Sequence, residues 1–217
     1  MKYQLSDLMN RDDLLRLIAD TAYNIGFGAK KHFATFDIVT KVPGLMRIFS
    51  IAVGIYSLAL DGLSSRFLSA SFIILGITSL YISFYDSQKD KYEEAGVALI
   101  QLFNELKKLY FHVKETGDDV LPESIEKLTQ IESKYYQLSM SKQILFSDWY
   151  THYKFFWQHQ IDWVDEQKHF KLFRDKIPLT FLIAVLFSSI ALAWWILISG
   201  AVPFKQVILQ SVERVSL

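Results

Sequence analysis

Arg47, Ser50, Gly54, Ser57 and Asp61 follow one another at intervals of three, four, three and four residues. On a helix that rhythm sets a guanidinium, two hydroxyls, a glycine and a carboxylate along one stripe. The thirteen residues between Arg47 and Asp61, Ile48 to Leu60, carry no charge. Ser69, Gly76, Ser79 and Ser83 form a similar small, polar stripe in the next apolar stretch. Two chemistries suit such stripes. Small side chains let apolar helices approach closely, which is a packing role. Alternatively, hydroxyls from several copies line a shared water-filled pore, with Arg47 and Asp61 near its mouths. Both readings stand, because packing faces and lumen faces adjoin in small bundles.

The residues carry no other familiar chemical motif. The sequence holds no nucleotide-binding glycine loop, no HExxH helix and no GxSxG elbow. Gly26 and Gly28 do not follow a strand, so they are no phosphate cradle. His152 and His159 stand seven apart, on one expected helix face, which is too far for shared ligation on a straight helix. Packing or surface roles suit them better than metal. Glu93, Glu94, Glu105, Asp162, Asp165 and Glu166 read as solvated helix faces. The chain has no cysteine, which excludes disulfides, thiol catalysis and cysteine-bound zinc. No enzyme, cofactor or metal is expected.

The elements that position the stripes are apolar. Of 217 residues, 51% are hydrophobic and 15% aromatic, and 23 basic residues balance 23 acidic ones. That balance argues against a nucleic-acid surface. Phe67 to Tyr85 is uncharged and long enough to cross a bilayer as a helix, which takes about 20 residues. Ile177 to Phe204 is uncharged and longer still, so tilt or an interfacial end is expected, with Trp194, Trp195 and Pro203 near the headgroups. The first stretch becomes a plausible span when extended from Pro43 to Leu63, with Arg47 snorkelling to one interface. A tight turn over Asp61–Arg66 then closes a membrane hairpin.

The expected fold is all-α: an integral membrane protein with four parts. Residues 1–43 form an N-terminal amphipathic helix and 44–85 a transmembrane hairpin. Residues 86–176 form a cytoplasmic helical region, and 177–217 a third span with its tail. Gly26 and Gly28 suggest a kink in the first helix, and Pro43 a boundary before the first span. A helix continues from the second span through Asp86 to about Thr116, Pro122 opens another, and a further helical run leads from Ile144 into the last span. Lys30, Lys31, Lys41, Lys89, Lys91, Lys168, Lys171, Arg174 and Lys176 flank the spans on one side. They put the N-terminus and residues 86–176 in the cytoplasm, and the turn and C-terminus outside.

From Trp149 to Phe173 the helical region is dense in aromatics. Packing between helices or against headgroups is one reading, and a pocket stacking a nucleobase is the other. Between Asp86 and Lys176 there are sixteen acidic and thirteen basic residues, which argues against direct nucleic-acid binding.

The segment from Tyr23 through Gly26, Gly28, Lys30, Lys31 and His32 to Phe33 is followed by Asp37, Pro43, the hairpin and then Asp90-Lys91-Tyr92. In that layout the first two-thirds of the chain resembles the SLATT family, the SMODS- and SLOG-associating two-span membrane effectors of bacterial anti-phage defence. The third apolar segment departs from that two-span plan. The resemblance implies an inner-membrane effector that oligomerises and forms or gates a pore when a partner signals infection, arresting growth. It also implies a cytosolic nucleotide-signal synthase, a sensor or a reverse transcriptase as partner, besides the lipid bilayer and further copies of the chain. The alternative is a non-conducting membrane scaffold or sensor that docks a cytosolic enzyme, and a membrane-bound enzyme is the distant third.

Overall fold

The computed structural model describes residues 9–59, 65–116 and 121–215. Among these residues the chain forms helices and turns, with no strand. It divides into two compact units, Met1–Lys171 and Leu172–Leu217.

The first unit is organised on α1, Arg11–Ala59, a helix of 49 residues. At 1.5 Å per residue it measures about 74 Å. Its first part buries Leu14, Ile18, Ala22, Ile25 and Ala29 completely. These fall three or four residues apart, so one face supplies the core. Beyond Pro43 the same residue types point outward: Ile48, Ile51 and Ile55 are each more than 60% exposed. A surface of this kind is stable against hydrocarbon and not against water. α2, Ser65–Asp86, presents Ile73, Ile74, Ile77 and Phe84 in the same manner. By length and composition α1, α2 and the stretch Leu179–Ile198 can each cross a membrane.

Two expected interruptions of α1 are absent. Pro43 lies inside the helix and does not end it. A proline there forfeits one backbone bond, but helices entering a membrane tolerate this where neighbours and local adjustment relieve it. Gly26 and Gly28 do not break the helix either. Gly26 is a contact point: a Cβ there would stand 2.8 Å from the Phe103 ring and 2.9 Å from that of Phe155.

The expected continuous helix after the second span is divided. α2 stops at Asp86, Gln88 N–H bonds back to the Tyr85 carbonyl at 3.1 Å, and α3 spans Lys89–Glu115. Leu99, Phe103, Leu106, Tyr110 and Val113 of α3 are buried against α1. α4, Leu121–Leu138, adds Leu128 and Ile131 to the same core, with Pro122 in its first turn as expected. A strap of irregular backbone, residues 139–146, then leads to α5, Ser147–Phe156, and α6, Asp162–Lys168.

The helical run expected from Ile144 into the last span is thus in pieces. Phe146 and His169 take left-handed backbone conformations, φ 67° and 49°, at the start of α5 and the end of α6. Phe155, Ile161, Trp163 and Val164 all reach the core. Their spacing of six, two and one fits no single helix face, so the chain must turn between them.

The second unit holds a π-helical turn, Leu172–Lys176, and α7, Leu179–Val215. The Pro178 carbonyl accepts from Phe181 N–H at 3.0 Å, which starts the helix two residues after the expected Ile177. α7 runs on through Pro203, and its Leu186, Phe187, Leu192 and Trp194 are exposed.

Candidate functional site

The stripe residues divide by position. A cleft of about 440 Å³ between α1 and α2 gathers Arg47 and Ser50 with Gly76 and Ser79, walled by Pro43 and Phe72. Gly54 and Ser57 sit farther along α1, and Ser69 and Ser83 elsewhere on α2. Asp61 lies outside the described residues. The Arg47 guanidinium folds back toward the start of α1, where Nη2 lies 4.0 Å from the place of a Gly44 Cβ. Side chains on a helix lean that way, and it carries the charge toward the basic end of the hairpin. A Cβ on Gly54 or on Gly76 meets nothing within 4 Å. Neither glycine is therefore a contact between α1 and α2 of one chain.

Four hydroxyls on the hairpin find partners within their own helix backbone. Ser57 donates to the Gly54 carbonyl at 2.7 Å and Ser83 to that of Leu80 at 2.8 Å. Ser71 and Thr78 do the same. In an apolar surround an unmade hydrogen bond is costly, and this is the local way to satisfy it.

Where the hairpin meets the body, side chains from three helices hold the strap. His32 donates from Nδ1 to the Gly28 carbonyl, 2.7 Å away, and accepts the Met140 N–H on Nε2 at 3.1 Å. Both bonds fit the neutral ring, and burial holds its pKa below the usual histidine value. Tyr92 donates to the Lys142 carbonyl at 2.6 Å, Tyr85 to that of Gln143 at 3.3 Å, and Tyr81 accepts from Leu145 N–H at 3.1 Å. Thr35 bonds the Gln143 side chain. Below them Val39, Ile82, Tyr85, Tyr92 and Ile144 form a second apolar cluster.

Asp37 joins this junction to α5. Its carboxylate receives Lys41 on one oxygen and Lys154 on the other. Burial alone raises its pKa, but the Lys154 and Lys41 ammoniums outweigh that and hold it below the usual carboxylate range. Sequence reasoning quoted His32, Asp37 and Tyr92 only within a family likeness and gave none of them a role. Tyr81 and Tyr85 were absorbed into an apolar span. A visible signal was their four-residue spacing at the end of that span, where phenols face an interface.

Much of the aromatic region packs inside the body, while Tyr153, Trp157 and Phe173 stay exposed. Tyr23, Phe27, Phe155, Phe156 and Phe170 pack on one another, tilted or edge-on, with ring centres 5.1–5.8 Å apart. His152 and His159 do not share a helix face, because α5 ends at Phe156. His152 sits edge-on to Phe27, and His159 lies 5.0 Å from the Phe103 ring. Burial, with Lys30 and Lys107 nearby, lowers the His159 pKa to about 4. Its Nε2 and the Trp163 Nε1 are buried without a hydrogen-bond partner. Among the described residues no three histidines or carboxylates are grouped to hold a metal ion.

The family model described as SMODS and SLOG-associating 2TM effector domain 6 matches residues 9–185. The chain belongs to this family. It is a membrane effector of the kind associated with defence systems. The SLATT match takes in the body and both helices of the hairpin, and it ends within α7. The third candidate span is thus largely additional to the two-span SLATT domain. No curated protein and no solved structure matches the chain.

Proposed function

We propose that this SLATT protein oligomerises in an inner membrane and forms or gates a pore when a cytosolic partner signals, arresting growth. The observation that carries the reading is the cleft holding Arg47, Ser50, Gly76 and Ser79 on an otherwise apolar hairpin. A guanidinium and hydroxyls gathered within membrane-crossing helices mark water or ion pathways more often than lipid contacts. Gly54 and Gly76, with nothing against them, supply room for a second copy. The basic flanks of the spans support an orientation with the N-terminus and residues 86–176 in the cytoplasm. A reporter at residue 120 then reads cytoplasmic and one at the C-terminus periplasmic. The partner is a nucleotide-signal synthase, a sensor or a reverse transcriptase, in keeping with the family.

The second reading is a non-conducting scaffold that docks a cytosolic enzyme. It is favoured by Ser57 and Ser83, whose hydroxyls bond their own helices and leave little need for water. Recording in planar bilayers under asymmetric salt separates the two. The pore reading expects discrete conductance, with Asp61 of each copy contributing to a charged ring at the outer mouth. Asp61→Asn then lowers cation preference while assembly persists. Assembled protein with no conductance overturns the pore and leaves the scaffold. An unchanged reversal potential in assembled Asp61→Asn removes the ring.

A further inference from the structure

On the other flank of α2 the hairpin carries a second groove, and it differs in kind from the cleft at Arg47. It lies between Ile38 and Val42 of α1, Ile77 and Tyr81 of α2, and Ile144 and Phe146 of the strap, with a volume of about 520 Å³. The polar atoms in its wall already have partners. Thr78 donates to the Ile74 carbonyl at 2.8 Å, and the Tyr81 hydroxyl takes the Leu145 N–H at 3.1 Å. What the groove offers an occupant is hydrocarbon. Pockets of a few hundred Å³ suit a ligand of modest size.

Its rim is basic. Lys142 of the strap lies 5.1 Å from the centre of the Tyr85 ring, and that ring is 5.7 Å from Tyr81. The occupant therefore has an apolar tail and an anionic head. A second copy's hairpin does not meet that description. The spans carry no acidic residue from Ile48 to Leu58 or from Phe67 to Tyr85.

We propose that this groove holds an acyl chain of an anionic phospholipid, with the headgroup phosphate against Lys142. The lipid lies under the strap that ties the body to the hairpin, so its presence supports the strap from the membrane side. The inference rests on the hairpin lying in a bilayer.

The test uses the full chain in nanodiscs of equal phosphatidylcholine and phosphatidylglycerol, followed by detergent stripping and native mass spectrometry. The unsubstituted protein should retain phosphatidylglycerol over phosphatidylcholine by about fivefold, the preference one lysine gives near an anionic surface. Thr78→Trp, at an exposed position on the wall, should lose the retained lipid. Lys142→Gln should retain lipid but without preference. Equal retention by the unsubstituted protein and Thr78→Trp overturns the site. So does a disulfide between two Thr78→Cys chains, which places a second copy in the groove; with no native cysteine that signal is unambiguous. Protein that fails to float with liposomes overturns the membrane reading itself, and is seen before any lipid is counted.

Discussion

Asp37 on α1 and Lys154 on α5 are joined across the body, with the carboxylate Oδ2 and the ammonium 2.5 Å apart and both side chains less than a fifth exposed. Removing the carboxylate leaves Lys154 largely enclosed and without its partner. Asp37→Ala should therefore lower stability by about 2 kcal/mol, the scale of a lost hydrogen bond between charged groups. Asp37→Asn should recover part of it. Thermal unfolding in mild detergent checks both, and Asp37→Ala with an unchanged midpoint would remove the pair from the fold's support.

Gly26 and Gly28 should respond oppositely to the same change. At Gly26 a methyl enters within 2.9 Å of two rings, those of Phe103 and Phe155, which are themselves fully enclosed. At Gly28 its nearest neighbour is the Tyr135 ring at 3.4 Å, an ordinary contact. Overpacking costs about 1–3 kcal/mol, against a helix gain of about 1 kcal/mol. Gly26→Ala should thus unfold at lower temperature than the parent, and Gly28→Ala at the same temperature or higher. Equal shifts in both would mean that the rings give way freely.

His159 makes the body sensitive to acid. Its pKa in the folded chain is lowered to about 4, so between about pH 6.5, where a free histidine titrates, and pH 4 the unfolded chain binds a proton that the folded chain does not. Stability then falls as pH falls through that window and levels off beneath it. His159→Gln, which cannot titrate, should show a shallower loss between pH 7 and pH 4. Carboxylates contribute equally to both proteins, so the difference in slope is the measurement. Parallel slopes would show that the imidazole is not shielded.

Assembly offers a further check. A leucine at Gly54 projects into space that one chain leaves open, so it should leave the monomer's fold intact. If copies meet there, Gly54→Leu should weaken the oligomer, by blocking close approach. Native mass spectrometry reads the result, and an unchanged oligomer would place the interface elsewhere.

The membrane helices and the body's α3 and α4 were legible because their signals are local. Phe67 to Tyr85 is uncharged, and Leu99, Phe103, Leu106 and Tyr110 keep helical spacing. Pro43 misled because its cost is an average over soluble helices, and a helix entering lipid is under other demands. The junction was not legible at all. His32 reaches Met140 and Tyr92 reaches Lys142 across 108 and 50 residues, and no short-range pattern records such a meeting. The stripes were visible as spacing, but whether Arg47 and Gly76 share a cleft depends on how two helices lean together.

The unbroken course of α1 gives it the geometry of a lever. From Gly26, packed among rings, to Ala59 the helix runs about 50 Å. A tilt of about 5° at the packed end swings the far end by about 4 Å over that length. Repacking of a single ring inside the body is thereby geared up to a movement on the scale of a helix radius. Substitutions around Phe103 and Phe155 should accordingly be felt at the far end of the hairpin as well as in the body that contains them.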